Sequence, residues 1–216
     1  MQKKVVGHWR RPFSTNEIRR MNYLAHLVIG GPDQDLMVGN FMGDAIKGSA
    51  HRSLPDDVAK GVLMHRWIDS EADSHPASSA SRASLRPILG RMSSVGLDLL
   101  HDHFLARNFE SVLPSWSLEP FVGHVEAILI GRQQEMPERS QRFLQAMVQH
   151  RWLVGYGQRN EMIKVCASMD ARIAWESNLK QLFEAVDAVG ESILEERFLE
   201  LMSTMMRERS VNWPSW

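Results

Sequence analysis

Apolar residues recur at helical spacing along most of this chain, and this periodicity is the feature that most constrains its fold. The periodic segments are dominated by Leu, Met, Ala, Glu, Gln and Arg, whereas runs of β-branched residues in strict alternation are scarce. The sequence therefore predicts an all-α protein. After a helix that begins near a capping Ser53 and ends at His75–Pro76, helices are expected at about 78–91, 95–110, 118–133, 138–152, 159–168, 170–188 and 190–208.

The chain has 216 residues, which suits one compact domain with a sizeable core. Residues 1–20 are rich in Lys and Arg and are expected to form a basic N-terminal extension, so that the folded domain spans residues 21–216. The sequence shows neither a signal peptide nor an apolar run of ~18 residues, which argues against secretion and a membrane span. The single cysteine, Cys166, excludes an intramolecular disulfide and favours the reducing cytoplasm.

Two pairs of polar residues repeat the same spacing in predicted helices. His65 and Asp69 are four residues apart, as are Asp98 and Asp102, so the members of each pair lie on one helical face, a turn apart. Such a pair can bind a metal ion together with ligands from other helices. It can equally form only a hydrogen bond at the helix surface, and the spacing alone leaves both interpretations open.

Two further polar residues occur where apolar side chains dominate. His26 lies in the segment YLAHLVI at 23–29, and Asp44 ends the segment GNFMGD at 39–44. A carboxylate in apolar surroundings needs a cation or hydrogen bonds to offset its desolvation. Imidazole and carboxylate ligands without thiolates suit Mn²⁺, Fe²⁺ or Zn²⁺ in a catalytic site, where the ion can polarise a phosphoryl oxygen and supply hydroxide at neutral pH.

Four segments, in this order along the chain, resemble the acyl carrier protein phosphodiesterase family. They are MNYLAHL at 21–27, GNFMGD at 39–44, MHRWID at 64–69 and DHFLARN at 102–108, and Trp152–Val154 with Tyr156 adds a weaker similarity. The resemblance implies hydrolysis of the phosphodiester between 4′-phosphopantetheine and a serine of holo-acyl carrier protein, with Mn²⁺ or else Mg²⁺ or another divalent metal as cofactor. It also implies a helical, HD-domain-like fold, since the family is regarded as a divergent branch of the HD-type metal phosphohydrolases.

The HD-type pattern consists of a histidine, an adjacent His–Asp pair and a distant aspartate. By order along the chain, His26 resembles the first histidine, Asp44 the aspartate of the pair, and Asp102 the distant aspartate. Gly43 stands where the histidine of the pair would be, so one ligand is either missing or supplied from elsewhere. His65 is the candidate replacement, and the resemblance thus implies a metal site built from these four His and Asp residues.

A different assignment takes His101 and Asp102 as the His–Asp pair, which would shift every other ligand. It is disfavoured because no aspartate in a similarly apolar, helical context follows. His103 also flanks Asp102, and at ~100° per residue around a helix at most one of the two histidines shares its direction.

Five residues near the candidate ligands are expected to take part in catalysis. Asp69 or Asp98 would orient or deprotonate the attacking water, and His103 would protonate the leaving oxygen. Arg66, which follows His65 directly, and Arg107, one helical turn after His103, would brace the phosphate. Each arginine fits a surface ion pair equally well.

The expected protein partner is holo-acyl carrier protein, which is small and strongly acidic. This chain has 26 acidic and 25 basic residues, so their charges nearly cancel. Docking must therefore use a local cluster of basic side chains. The candidates are Arg82, Arg86, Arg91, Arg132, Arg139 and Arg142. The charge balance gives no support to nucleic-acid binding, and no nucleic-acid motif is found.

Two other functions fit the same residues. One is an HD-type phosphohydrolase that acts on nucleotides or another small phosphoester, although no Gly-rich phosphate loop supports it. The other is a non-enzymatic helical binding module, in which the His and Asp residues are structural. The mass of the carrier protein after incubation separates the first from the family's reaction, and metal binding separates the second.

Overall fold

The computed structural model describes residues 22–171, 173 and 177–213, and the predicted basic extension at 1–20 lies outside them. The described residues contain no β-strand, which confirms the all-α prediction. No helix among them has the length and hydropathy that a membrane crossing requires. The helices are α1 (Tyr23–Gly30), α2 (Gln34–Phe41), α3 (Asp56–Ser74), α4 (Pro76–Leu89), α5 (Ser93–Arg107), α6 (Phe109–Val112), α7 (Leu118–Gly131), α8 (Glu138–Gln149), α9 (Trp152–Gly155), α10 (Arg159–Asp170), α11 (Leu182–Val189) and α12 (Glu191–Asn212).

Two helices form the centre of the core. Helix α1 buries every residue from Leu24 to Gly30, and α5 buries all of its residues except Ser94, Asp98 and Arg107. A helix that is buried on all sides must be surrounded by other elements, and α1 packs against α2, α3, α5 and α12. Polar side chains on α1 and α5 are therefore held inside the protein.

Helices α2 and α3 approach each other at backbone distance through two glycines. A Cβ on Gly39 would lie 2.0 Å from the carbonyl oxygen of Val58, and a Cβ on Gly61 would lie 2.3 Å from that of Leu36. Any side chain at either position would push the helices apart. His65 follows Gly61 by one turn, so this close contact brings it beside the C-terminal end of α2.

Helix α3 begins later than the sequence predicted. Ser53 does not cap it, because its hydroxyl donates to the Ala50 carbonyl within a short 3₁₀ turn at Ala50–Ser53. The first turn instead starts at Asp56, directly after Pro55. The predicted end is confirmed, since α3 stops before His75 and α4 begins at Pro76.

The single helix predicted at 170–188 is wrong. Helix α10 ends at Asp170, whose carboxylate accepts hydrogen bonds from the backbone N–H groups of Leu179 (3.2 Å) and Lys180 (2.8 Å). A side chain that satisfies the free N–H groups of a following turn starts a new element there, so a 3₁₀ turn at Leu179–Gln181 leads into α11.

Candidate metal centre

Three of the predicted site residues converge with a fourth at the junction of α1, α2 and α3. His26 Nε2 lies 3.2 Å from Oδ1 of Asp69, and His65 Nε2 lies 3.3 Å from the other oxygen of the same carboxylate. One potential ligand atom from each of these three residues lies within 4.8 Å of the others. Asp44, in a 3₁₀ turn after α2, has Oδ1 3.7 Å from His65 Nε2. We call these four residues the candidate centre.

The protonation of His26 follows from its contact with Asn40. The carbonyl oxygen of His26 can only accept, so the Asn40 amide nitrogen must be the group that lies 2.8 Å from it. This orientation places Oδ1 of Asn40 3.0 Å from His26 Nδ1. Because an amide oxygen also only accepts, Nδ1 must carry a proton, and Nε2 of the neutral ring presents a lone pair.

That lone pair points at the carboxylate of Asp69. Two acceptors 3.2 Å apart repel each other unless a positive charge lies between them. Either a second proton on His26 or a bound cation provides this charge. The arrangement of His26, Asn40 and Asp69 is the one expected of a metal-binding histidine, whose other ring nitrogen donates to a fixed acceptor.

His65 gives a second indication of a cation. The residue is buried, and neither of its ring nitrogens makes a hydrogen bond of good geometry with any described residue. Its ring stacks on that of His26 with 4.2 Å between centroids. Burial is the largest cause that lowers the pKa of His65, and it outweighs the carboxylates of Asp44 and Asp69, which raise it, so the neutral ring with an available lone pair is favoured. Buried polar atoms without partners need an explanation, and a divalent cation facing Asp69 and Asp44 supplies one.

Asp102, predicted as the distant aspartate ligand, contacts the start of α1. Its two oxygens accept hydrogen bonds from the backbone N–H groups of Leu24 (3.0 Å) and Ala25 (2.9 Å). Burial raises the pKa of Asp102 to about 7, although these two hydrogen bonds act in the opposite direction. The Asp102 carboxylate therefore anchors the N-terminal end of α1, the helix that carries His26. Its role as a ligand stays a prediction.

Asp98 lies near the candidate centre but outside the group of possible ligands. It is partly exposed on α5. Burial raises the pKa of Asp98 well above its usual value, and the negative charges of Asp73 and Asp69 raise it further. A carboxyl in this setting keeps its proton more readily than an ordinary surface acid.

His103 and Arg107 are not brought to the candidate centre. Nδ1 of His103 lies 2.6 Å from the carbonyl oxygen of Tyr156, which makes it the donor, and the ring packs edge-on against Phe183. Arg107 forms ion pairs with Glu191 and Glu195 of α12. Their predicted roles as proton donor and phosphate brace gain no support from these contacts.

Arg66 contacts backbone carbonyl groups, and its role as a phosphate brace stays a prediction. Its Nη2 donates to the carbonyl oxygens of Ile46 and Gly48, each at 2.9 Å. Among the described residues it has no acidic partner. It therefore fixes the segment that follows Asp44, next to the candidate centre.

The predicted docking arginines divide into two groups. Three form ion pairs with acidic neighbours: Arg82 with Asp73, Arg132 with Asp35 and Glu135, and Arg142 with Glu138. Arg86, Arg91 and Arg139 have no ion pair within the described part of the chain. An arginine already neutralised by an acid attracts an anionic partner less strongly.

Asn40 is the site residue that sequence reasoning missed. It is fully buried in α2. The signal was present, because a primary amide inside an otherwise apolar helical segment must find hydrogen-bond partners. Which partners it finds depends on the packing of α2 against α1.

The fold and the site together define a helical protein with a buried His–Asp centre suited to a divalent cation, as in metal-dependent hydrolases. The sequence model of the family described as Acyl carrier protein phosphodiesterase matches residues 21–205. The chain belongs to this family, which confirms the resemblance seen in its sequence.

Curated relatives match over almost their whole length. A protein of Yersinia pestis named acyl carrier protein phosphodiesterase is 29% identical over 188 residues, which cover 87% of this chain and 97% of the relative. The protein of that name from Salmonella agona is 30% identical over the same shares. That of Escherichia coli O139:H28 is 29% identical, over 88% of this chain and 98% of the relative. No solved structure matches the chain.

Proposed function

We propose that this protein hydrolyses the phosphodiester that joins 4′-phosphopantetheine to a serine of holo-acyl carrier protein. Water adds across the bond between phosphorus and the serine oxygen, so that the serine regains its hydroxyl and 4′-phosphopantetheine leaves as a phosphate monoester. The name that the family and its relatives share supplies the substrate. The observation that carries the chemistry is the 3.2 Å distance between the Asp69 carboxylate and Nε2 of His26, whose Nδ1 already donates to Asn40.

The residues of the candidate centre fit a divalent cation, and we propose Mn²⁺. His26, His65 and Asp69 would hold it, with Asp44 beside them and Asp102 as the further predicted ligand. When bound, such an ion polarises a phosphoryl oxygen and makes a bound water more acidic. Neutral imidazoles and carboxylates are ligands that Mn²⁺ accepts, and the group includes no thiolate.

The protein residues would position and transfer protons around this centre. Asp69 faces both histidines, which suits a ligand that also orients the attacking water. Asp98 lies near Asp69 with its pKa raised by burial, which suits a group that holds a proton for the leaving serine oxygen. Asn40 keeps the Nε2 lone pair of His26 directed inward. Arg66 would fix the segment that follows Asp44.

A cytoplasmic setting is part of the proposal. Cys166 is buried and unpaired, and burial raises the pKa of its thiol to about 12. A buried, protonated thiol is a core residue rather than a nucleophile. The acyl carrier protein that would serve as substrate must be available in the same compartment.

Mass spectrometry of the carrier tests the proposal. Holo-acyl carrier protein incubated with the purified protein and Mn²⁺ should lose the mass of 4′-phosphopantetheine, and an Asp69→Asn variant should leave it unchanged. Nucleoside monophosphates, diphosphates and cyclic nucleotides are assayed in parallel. An unchanged holo mass together with nucleotide hydrolysis would replace this proposal with a nucleotide phosphohydrolase.

A further inference from the structure

The segment between Asp44 and α3 forms the rim of the candidate centre. Residues 45–54 follow directly on Asp44, and most of them from Lys47 to Ser53 are exposed. The segment carries Lys47, His51 and Arg52, and it contains no Asp or Glu. We call residues 45–54 the rim loop.

The positive charges of the rim loop are not neutralised locally. Neither Lys47 nor Arg52 makes an ion pair with any residue in the described ranges. Several exposed cations elsewhere are paired, as Arg142 is with Glu138 and Lys164 with Glu161. Unpaired cations that share one short exposed segment create a local positive potential on a protein whose net charge is close to zero.

The rim loop is also tied to α3, and to itself, by hydrogen bonds. Arg66 of α3 donates to the carbonyl oxygens of Ile46 and Gly48 at 2.9 Å each. Within the loop, Nδ1 of His51 donates to the Gly48 carbonyl at 3.1 Å. A charged surface that is already ordered loses little conformational entropy when a partner binds.

The chemistry of the proposed substrate requires docking cations close to the centre. The scissile phosphodiester is attached directly to a serine of the carrier, so the carrier surface must come within about one side-chain length of the reacting atoms. Lys47 is three residues from Asp44, and Arg66, which fixes the loop, follows His65 directly. Cations on the rim can therefore touch a partner that presents this phosphodiester.

We infer that the rim loop is the surface on which the acidic carrier protein docks, with Lys47 and Arg52 as its main contacts. This inference rests on the proposed function. It replaces the broader set of arginines expected from the sequence, three of which are neutralised by acids of the same chain. Docking charges of this kind act mainly on the association rate and its dependence on salt.

Charge reversal tests the inference. A Lys47→Glu/Arg52→Glu variant should raise KM for holo-acyl carrier protein about tenfold at low salt. For the unaltered protein, kcat/KM should fall between about 0.01 and 0.15 M salt, as the Debye length shortens from about 30 to about 8 Å, and the variant should show a flatter dependence. A Lys164→Glu/Lys180→Glu variant makes the same change in net charge and should behave like the unaltered protein.

Binding of apo-acyl carrier protein separates this inference from the proposed function. The apo form has no phosphodiester, so its affinity reports docking even if the chemistry is different. Weaker apo-carrier binding by the rim-loop variant, with an unaltered thermal unfolding midpoint, supports the inference. The inference would be overturned if the rim-loop variant kept its affinity and salt dependence. It would also be overturned if an Arg86→Glu/Arg91→Glu variant lost affinity for the apo carrier instead. A protein that binds the carrier through the rim loop but leaves its holo mass unchanged would disprove only the proposed function.

Discussion

The ring of His65 fills the space that a side chain at Gly43 would need. A Cβ on Gly43 would lie 2.4 Å from Cγ of His65 and 2.6 Å from its Cβ. The HD-type pattern predicts a histidine at position 43, and here an imidazole from α3 occupies the neighbouring space. The His65 ring can therefore occupy this space only because residue 43 is a glycine.

Gly43→Ala should displace His65 and weaken the candidate centre. Inserting a methyl group into a packed interior costs about 1–3 kcal/mol of unfolding free energy, and metal affinity should fall with it. Gly123→Ala is the matched control, since a Cβ there meets no atom within 4 Å and the residue is helical. The unfolding free energy of that control should increase by up to about 1 kcal/mol. Urea unfolding measures both, and equal stability of the two variants would contradict the packing described.

His65→Ala should reduce the affinity for Mn²⁺ by more than the roughly 10–100-fold that loss of an outer-shell partner causes. The reason is that it removes a buried neutral imidazole that faces Asp69 and Asp44. Isothermal titration of protein freed of metal measures the effect. His124→Ala, at an exposed position on α7, should titrate like the unaltered protein. Similar affinities for both variants would remove His65 from the centre.

Asn40→Leu should release the His26 ring from its fixed tautomer. The change leaves Nδ1 and the carbonyl oxygen of His26 without their partners, and metal affinity should drop about 10–100-fold. Nitrogen NMR of the histidine rings should show a protonated Nδ1 and an unprotonated Nε2 for His26 in the unaltered protein loaded with diamagnetic Zn²⁺. The opposite tautomer there would contradict the assignment. Asn40→Asp keeps the acceptor for Nδ1 and should retain more affinity than Asn40→Leu.

Cys166 should not react with thiol reagents while the protein is folded. Burial raises its pKa from 9.0 to about 12, so the folded state keeps the thiol protonated at pH 8. Because the pKa is higher in the folded state, this contribution to stability is complete below pH 9 and is lost as the pH rises towards 12. Rapid labelling at pH 8 without denaturant, at the rate seen in urea, would show that the thiol is accessible.

Much of the fold could be predicted because helices depend on local spacing. The end of α3 at His75–Pro76 follows from the proline alone, and the sequence predicted it correctly. The break after Asp170 could not be predicted in this way. It depends on a carboxylate that reaches backbone groups nine and ten residues further along the chain, and helical periodicity contains no sign of such a contact.

In the candidate site, too, contacts within one helix could be predicted and contacts between helices could not. The pairing of His65 with Asp69 follows from their spacing on one helix. The approach of His26 to Asp69 does not, since it joins α1 to α3 across 43 positions of the chain. The hydrogen bonds from α1 to Asp102 likewise join residues 77 and 78 positions apart.

We propose above all that His26, His65 and Asp69 hold the divalent metal that the reaction uses. Anomalous diffraction from crystals grown with Mn²⁺ tests it most directly. We predict a manganese peak bound by His26 Nε2, His65 Nε2 and the Asp69 carboxylate, and its loss in His65→Ala crystals. A peak bound elsewhere in the protein, with these three side chains unliganded, would contradict the claim.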